Sequence, residues 1–216
     1  MSNIKIKGLL FDLDGVLVST EYNHFLAWKS IADQYQISFN ELDNERLKGM
    51  SRVDSLKIIL QLGDVWISED EFNDLLHLKN ERYLNSIRQL SQNDLLPGVL
   101  ALLNQARSKN IPCGLGSSSK NAKTILSLVG IESYFDVLID GNMVEHPKPH
   151  PEVFLNGAKQ LGLSPNQIIV FEDAESGVKA AKDGGFYVFA VGNRHIQNSA
   201  DAFVSSLLEF NLDEYV

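Results

Sequence analysis

This sequence of 216 residues contains a single cysteine, Cys113, so it cannot form a disulfide bond within the chain. One free thiol fits a reducing compartment, and we expect the protein to work in the cytoplasm. Cys113 lies in the predicted strand Ile111–Gly116, where a free cysteine usually serves as a small buried side chain. No apolar run approaches the roughly 20 residues that cross a bilayer as a helix. The first residues lead into a predicted strand, so we expect neither a membrane span nor a signal peptide.

Positive charge is also scarce, because 19 Lys and Arg residues stand against 28 Asp and Glu residues and give a formal net charge of −9. Nucleic-acid-binding domains need a basic face, so we expect no nucleic acid partner. The acidic balance still permits a small phosphorylated ligand, since a metal ion and a few lysines can reverse the field inside one pocket. The chain is 44% hydrophobic, which is typical of a globular protein with a real core.

Short apolar segments alternate with segments of helical periodicity over most of the chain. The predicted strands are Ile4–Phe11, Ile111–Gly116, Val137–Ile139, Ile168–Phe171 and Tyr187–Val191. Helices are predicted at Val99–Lys109, Asn121–Val129, Glu152–Leu161 and Ser176–Asp183. Such alternation is typical of a parallel sheet with helices on both faces. We therefore predict an α/β fold with a Rossmann-like three-layer core.

The segment from Glu21 to Ser91 has helical periodicity and no convincing strand. Its apolar residues form three stripes, which are Ala27, Trp28, Ile31, Ala32 and Tyr35, then Val53, Leu56, Ile59 and Leu60, then Phe72, Leu75, Leu76, Tyr83 and Ile87. An all-helical insertion after the first strand would form a cap above the strand ends, where open α/β sheets bind ligands. We predict a core domain of residues 1–19 and 92–216 and a helical cap domain of residues 20–91.

Two carboxylates, Asp12 and Asp14, stand one residue apart at the end of the first predicted strand, in the motif Phe11–Val16. Residues i and i+2 of a strand point to the same face, so both acids can face one ligand. Such a pair suits chemistry in which one acid attacks and the other moves protons, and Gly15 lets the backbone turn tightly beside a ligand. The same short motif also occurs as a strand followed by a solvated Asp-Gly turn. Other segments of the chain are needed to distinguish a catalytic pair from such a turn.

The motif Phe11–Val16 resembles the first motif of the haloacid dehalogenase-like phosphotransferases, and later segments match that family in the same order over nearly the whole chain. The resemblance implies that Asp12 is the nucleophile, which becomes an aspartyl phosphate. It also implies that Asp14 is the general acid/base and lends its backbone carbonyl to a metal ion.

Two later loops also follow predicted strands. Residues 117–121 precede a helix, where serine hydroxyls and backbone amides can hold a phosphate or simply cap the helix. The family resemblance implies that Ser117 binds the transferring phosphoryl group. Lys148 lies among the prolines of Pro147–Pro151, which stiffen the loop. The resemblance implies that Lys148 neutralises charge on the nucleophile and on the phosphoryl group.

Glu172 and Asp173 follow the strand Ile168–Phe171 and precede a helix, where acids also serve as partners of the helix dipole. If Asp12, Asp14 and Asp173 share a pocket they repel, since like charges about 4 Å apart cost roughly 4 kcal/mol at an effective dielectric of 20. A hard divalent cation resolves this repulsion, and Mg²⁺ suits oxygen ligands best. We predict one Mg²⁺ held by the Asp12 and Asp173 side chains and the Asp14 carbonyl, with Glu172 nearby or bound through water.

The segments Thr20–His24 and Leu47–Ser55 resemble cap elements of the β-phosphoglucomutase branch of the same family. Without that resemblance, Lys48 and Arg52 would form a solvated basic turn around Gly49. The resemblance implies that Arg52, with Ser119 and Asn121, grips the non-transferring phosphate of the substrate. It also implies that His24, aided by Lys79, couples the position of the cap to the acid/base aspartate. The other predicted substrate-binding residues are Thr20, Lys48, Gly49, Ser55 and Ser118.

The resemblance implies a magnesium-dependent enzyme that interconverts β-D-glucose 1-phosphate and β-D-glucose 6-phosphate through β-glucose 1,6-bisphosphate. A sugar-phosphate phosphatase with the same core residues is the alternative, and a non-catalytic phosphate-binding protein is a further one. Lys48, Arg52 and Asn121 favour the mutase, because a phosphatase has less need for a second phosphate grip. We expect a monomer, because the cap needs freedom to move. The remaining histidines match no metal-binding spacing and receive no role: His77, His146, His150 and His195.

Overall fold

A computed structural model of the chain describes residues 5–47 and 50–216. Its strands are β1 (Gly8–Phe11), β2 (Cys113–Gly116), β3 (Val137–Ile139), β4 (Ile168–Glu172), β5 (Tyr187–Val191) and β6 (Ala202–Val204). They form one sheet in the order β3-β2-β1-β4-β5-β6, and every neighbouring pair is parallel. The predicted parallel sheet is confirmed. Cys113 is buried in β2, as the sequence predicts.

Helices fill both the predicted insertion and the connections between strands. The insertion contains α1 (Glu21–Gln34), α2 (Glu41–Glu45), α3 (Arg52–Leu62) and α4 (Glu69–Ile87). The sheet connections contain α5 (Val99–Ser108), α6 (Ala122–Leu128), α7 (Glu152–Leu161) and α8 (Glu175–Asp183). Among the described residues, no helix combines the length and the apolar composition that a membrane span requires.

Successive strand residues point to opposite faces of the sheet, and both faces are buried under helices. Leu9 and Phe11 of β1 pack in the cluster that includes apolar residues of α5 and α6. Leu10, between them, packs in the cluster that includes apolar residues of α7 and α8. These two clusters give the predicted three layers, with helices on each face of the sheet.

The strand β6 at the sheet edge is absent from the sequence-based prediction. It is three residues long, and Ala202 and Phe203 are only partly buried. Its backbone pairs with β5, with Phe189 opposite Ala202 and Val191 opposite Val204. A three-residue strand on an edge carries little hydrophobic periodicity, so pattern alone does not reveal it.

The cap has a hydrophobic core of its own, to which all three predicted stripes contribute. It includes Trp28, Ile31, Leu56, Ile59 and Leu75. Val53 of the second stripe is 38% exposed, so its predicted burial is wrong. The C-terminal end of α4 packs against the core domain instead, because Tyr83 and Ile87 belong to the hydrophobic cluster that includes residues of α5 and α6.

Two chain segments connect the cap to the core, and they run side by side. Val18 and Leu95 form an antiparallel bridge, and the Leu96 amide donates to the Leu17 carbonyl at 2.9 Å. The cap therefore enters and leaves the core at one place, next to the end of β1. The exact division at residues 19/20 and 91/92 stays a prediction.

Candidate active site

The candidate site lies at the carboxyl ends of the central strands. Asp12 follows β1, Ser117 follows β2, and Glu172 and Asp173 lie at the end of β4. These strands are neighbours in the sheet, so their ends bring the four side chains together. All four are at most 7% exposed.

Lys148 is the cation at the centre of this group. Its Nζ donates to Asp12 Oδ1 at 2.6 Å and to Glu172 Oε1 at 2.7 Å, and its side chain is fully buried. Burial disfavours the ammonium, but attraction to the two carboxylates outweighs it and raises the pKa of Lys148. Burial also raises the pKa of Asp12 to about 7, although the charge of Lys148 opposes that shift. Lys148 thus contacts Asp12, whose role as the nucleophile stays a prediction.

Glu172 supports Lys148 from the other side. Its Oε1 accepts from Lys148, and its Oε2 accepts from the Ala174 amide at 2.8 Å. Gly177 makes room for this carboxylate, because a Cβ there would lie 1.7 Å from Glu172 Oε1. Glu172 is therefore placed to hold the lysine, and its role beside a metal ion stays a prediction.

Gly15 brings Asp173 against the backbone of the Asp14–Gly15 turn. The φ angle of Gly15 is +83°, and a Cβ would lie 2.1 Å from Asp173 Oδ2. Only glycine satisfies both conditions without strain. The Asp173 carboxylate thus lies beside the turn that carries the predicted carbonyl ligand, as a shared metal ion would require.

The donor set of this pocket fits Mg²⁺. Asp12 and Asp173 offer buried carboxylates, the Asp14 backbone offers a carbonyl, and each of these is a hard oxygen ligand. The buried Lys148 already binds Asp12 and Glu172. A divalent cation would offset the remaining negative charge of the carboxylates.

The Asp14 side chain is held by residues at the start of the cap. Thr20 Oγ1 donates to Asp14 Oδ1, and the Tyr83 hydroxyl donates to Thr20 Oγ1 at 3.0 Å. His24 Nε2 lies 3.8 Å from Asp14 Oδ2. Burial raises the pKa of Asp14 to about 6, so this carboxyl can change its protonation state near neutral pH.

A lysine on the cap fixes the orientation of His24. Lys79 Nζ lies 2.7 Å from His24 Nδ1 and 4.7 Å from the ring centres of Trp28 and Tyr83. Because an amine donates to Nδ1, the neutral ring carries its proton on Nε2, which faces Asp14. Burial and the charges of Lys79 and Arg52 hold the pKa of His24 well below its usual range. Burial likewise lowers the pKa of Lys79 to about 7.

An asparagine that the sequence does not single out joins the cap to the core. Asn80 Oδ1 accepts from the Arg52 guanidinium at 2.7 Å and from the Asn121 side-chain amide at 2.8 Å. The two predicted phosphate-binding donors therefore meet at one oxygen. The only sequence clue is that Asn80 follows Lys79 in the predicted cap helix.

The serines after β2 fold into a compact turn. The Ser119 amide donates to Ser117 Oγ at 3.1 Å, and the Asn121 amide donates to Ser119 Oγ at 3.2 Å. These amides are already bound, so the hydroxyls and side-chain amides are the better candidates for phosphate contact. Ser55 is 3% exposed, and its hydroxyl donates to the Ser51 carbonyl at 2.9 Å.

A cavity of about 560 Å³ lies between the cap and the core. Ten predicted site residues line it: Asp12, Asp14, His24, Arg52, Ser55, Lys79, Ser117, Ser118, Ser119 and Asp173. The predicted residues Thr20, Asn121 and Lys148 stand behind this lining and each contacts a lining residue, and Glu172 contacts Lys148. Lys48 and Gly49 lie outside the described residues. The volume suits a small ligand such as a sugar phosphate.

Comparison with known proteins decides the family. The model for "Haloacid dehalogenase-like hydrolase" matches residues 9–191. The chain belongs to the haloacid dehalogenase-like hydrolase family. It is 40% identical over 210 residues to the β-phosphoglucomutase of Bacillus subtilis, which covers 96% of this chain and 93% of that protein.

Other members of this haloacid dehalogenase-like family are also similar to the chain. A "Phosphorylated carbohydrates phosphatase" of Thermotoga maritima is 32% identical over 182 residues, covering 83% of this chain and 82% of that protein. The solved structure of a β-phosphoglucomutase from Clostridium difficile superposes with a TM-score of 0.93 at 38% identity, covering 96% of this chain and 94% of that chain. The predicted family and fold class are confirmed.

Proposed function

We propose that this protein interconverts β-D-glucose 1-phosphate and β-D-glucose 6-phosphate. One observation carries the proposal: a buried Asp12–Lys148 pair stands at the core side of the cavity between cap and core, and Arg52 lies on the cap side. The first feature suits phosphoryl transfer, and the second suits a phosphate that does not react. The 40% identity to the Bacillus subtilis β-phosphoglucomutase supports this activity.

In this proposal Asp12 attacks the phosphorus of the substrate in line with the leaving oxygen and becomes an aspartyl phosphate. Lys148 fixes the plane of the Asp12 carboxylate through Oδ1 and supplies positive charge beside the transferring group. The Ser117 hydroxyl binds an oxygen of that group. Mg²⁺, when held by Asp12, Asp173 and the Asp14 carbonyl, would offset the charge that develops on the phosphoryl oxygens.

Asp14 exchanges the proton with the sugar hydroxyl. A pKa of about 6 lets this carboxyl both give and take a proton near neutral pH. From the cap side, Thr20 hydrogen-bonds one of its oxygens, and His24 Nε2 lies 3.8 Å from the other. Because both residues belong to α1 or its N-terminal end, a shift of the cap would change the protonation chemistry of Asp14.

The same cycle requires a pocket that accepts a phosphate at either end. The aspartyl phosphate, formed from a priming bisphosphate, would pass its phosphoryl group to the free 6-hydroxyl of β-glucose 1-phosphate. The resulting β-glucose 1,6-bisphosphate would turn around and return its 1-phosphoryl group to Asp12, which leaves β-glucose 6-phosphate. Arg52 and Asn121, which now share Asn80 Oδ1, would then bind the phosphate that is not reacting. A monomeric state and a cytoplasmic location are part of the proposal.

A sugar-phosphate phosphatase is the second candidate, and the 32% identity to the Thermotoga maritima phosphatase favours it. Water would then take the phosphoryl group from Asp12, and the enzyme would need no second phosphate-binding site. The Arg52–Asn80–Asn121 contact favours the mutase. A non-catalytic binding protein would have no use for the buried Asp12–Lys148 pair, so we rank it last.

The test supplies purified protein with β-glucose 1-phosphate, Mg²⁺ and a trace of β-glucose 1,6-bisphosphate. Glucose 6-phosphate and free phosphate are then measured separately. We expect glucose 6-phosphate to form with little free phosphate. Free phosphate in equal amount to the substrate consumed would instead establish the phosphatase, and no turnover of any sugar phosphate would refute both enzymes. Arg52→Ala should reduce isomerisation more than hydrolysis of a substrate with one phosphate.

A further inference from the structure

Two histidines and a glutamate meet outside the active-site cavity, on the loop that leads into α7. Within the described ranges, His146, His150 and Glu152 form the one group of three potential metal ligands whose ligand atoms all lie within 4.8 Å of one another. His146 Nδ1 is 3.0 Å and His150 Nδ1 is 3.9 Å from Glu152 Oε2. The sequence-based prediction gives His146 and His150 no role.

We propose that His146, His150 and Glu152 form a second metal site, which takes a transition-metal cation of the zinc class. Two imidazoles and one carboxylate are a donor set that Zn²⁺ accepts, with water as the fourth ligand. Zn²⁺ ligands at about 2.0–2.1 Å in a tetrahedron stand roughly 3.3 Å apart. The 3.0 Å and 3.9 Å separations require only small movements to reach that value.

The three ligand atoms are in suitable chemical states. The Glu152 amide donates to His150 Nδ1 at 3.3 Å, so this nitrogen carries a lone pair, and metal binding there would replace that long hydrogen bond. The cation would replace the proton between His146 Nδ1 and Glu152 Oε2, and the neutral His146 ring would keep its proton on Nε2. Backbone hydrogen bonds from Glu145 and His146 lower the pKa of Glu152 and favour its ionised form.

The loop holds these ligands in place before any ion arrives. Prolines at 147, 149 and 151 alternate with His146, Lys148, His150 and Glu152, and each proline restricts the backbone. The amides of Glu145 and His146 each donate to the Glu152 carboxylate at 2.9 Å. The ordering cost of binding is therefore small.

The site is open to solvent, whereas the lysine within the same loop is not. The side chains of His146 and His150 are 63% and 51% exposed, and the Lys148 side chain is fully buried. A bound cation would link the chain on both sides of Lys148. We therefore expect the ion to stabilise the backbone that carries this residue, whatever reaction the protein catalyses.

The test is calorimetric titration of the full, tag-free chain with Zn²⁺ in excess Mg²⁺, which occupies the acidic oxygen ligands of the main cavity. We expect His150→Ala and His146→Ala each to bind one Zn²⁺ fewer than wild type, or to bind that ion at least roughly 10-fold more weakly. The exposed His195→Ala variant is the matched control and should bind as wild type does. Both ligand variants alter exposed side chains, and circular dichroism checks that each is folded.

Co²⁺ gives an independent readout, because its visible spectrum reports imidazole ligands directly. Wild type and His195→Ala should share a spectrum that His150→Ala lacks. The proposal is overturned if wild type binds no Zn²⁺ in excess Mg²⁺. Equal stoichiometry and affinity in wild type and in a folded His146→Ala or His150→Ala variant would overturn it as well. None of these outcomes depends on the identity of the sugar substrate.

Discussion

Replacing Lys148 with methionine tests how strongly one buried cation holds the active site together. The Lys148 ammonium contacts Asp12 Oδ1 at 2.6 Å and Glu172 Oε1 at 2.7 Å, with no exposed side-chain surface. Methionine keeps most of the side-chain volume, so the main effect is two buried carboxylates without their cation. Removing one partner from a buried ion pair costs about 3–5 kcal/mol. We expect Lys148→Met to lose that much free energy of unfolding and all turnover.

An exposed ion pair of the same length provides the matched control. Lys179 Nζ lies 2.7 Å from Asp183 on α8, but the two side chains are 61% and 49% exposed. Exposed pairs contribute about 0–1 kcal/mol. Lys179→Met should therefore change the free energy of unfolding by less than about 1 kcal/mol. Because both ion pairs have the same length, comparing the two variants separates the effect of burial from that of distance.

Urea unfolding in the presence of a chelator measures both variants without bound metal. The loss in Lys148→Met should shrink as the pH falls, because removing the lysine raises the pKa of Asp12 beyond its wild-type value of about 7. A folded variant that carries more protons than wild type gains relative stability in acid. Adding Glu172→Gln should recover part of the loss, since it removes one of the stranded charges. Equal losses of free energy of unfolding in Lys148→Met and Lys179→Met would show that burial does not set the contribution of the Lys148 ion pairs.

Three further changes test other parts of the site. Asn80→Ala removes the shared acceptor of the Arg52 guanidinium, so we expect the KM for the sugar phosphate to rise about fivefold, equivalent to about 1 kcal/mol, with a smaller change in kcat. Gly15→Ala places a Cβ against the Asp173 carboxylate, so titration should show Mg²⁺ affinity reduced roughly 10-fold or more. Lys79 has a pKa lowered to about 7 from its ordinary 10.5, so the unfolded chain binds a proton that the folded chain does not between these values. Stability should rise with pH across that window, and Lys79→Met should flatten the rise in urea-unfolding curves.

Each of these predictions has a control variant or an outcome that would contradict it. Asn85→Ala alters an exposed asparagine of the same helix as Asn80, and it should leave the KM unchanged. Gly130→Ala alters a glycine with a φ angle of +72° and nothing within 4 Å of a new Cβ, so it should leave Mg²⁺ binding unchanged. An Mg²⁺ affinity lost equally in both glycine variants would count against the steric argument. A rise of stability with pH that persists in Lys79→Met would remove Lys79 as its cause.

Hydrophobic periodicity predicts most of the fold because the central strands are buried on both faces. The bounds of β3 and β5 agree with the prediction, and those of β4 differ by one residue. The predicted first strand is too long, because β1 begins at Gly8 within the described residues. The edge strand β6 is missed because its three residues make only one-sided contacts.

The site is less evident from the sequence wherever its geometry depends on the folded cap. Leu75, Lys79, Tyr83 and Ile87 are the buried residues of α4, at intervals of four, so a lysine occupies a position on the apolar face of a helix. That pattern marks Lys79 as unusual but does not identify His24 as its partner, 55 residues away. Asn80 carries no comparable pattern, because its importance comes from contacts with two distant elements.

The proposed phosphoryl transfer requires Asp12 to carry a phosphoryl group during turnover. Protein mixed with Mg²⁺ and β-glucose 1,6-bisphosphate, quenched in acid and digested, allows mass spectrometry to locate any covalent phosphate. We expect the phosphate on Asp12 in wild type and on no residue in Asp12→Asn, which should be folded but inactive. Phosphate on another residue, or sustained turnover by Asp12→Asn, would show that Asp12 is not the nucleophile.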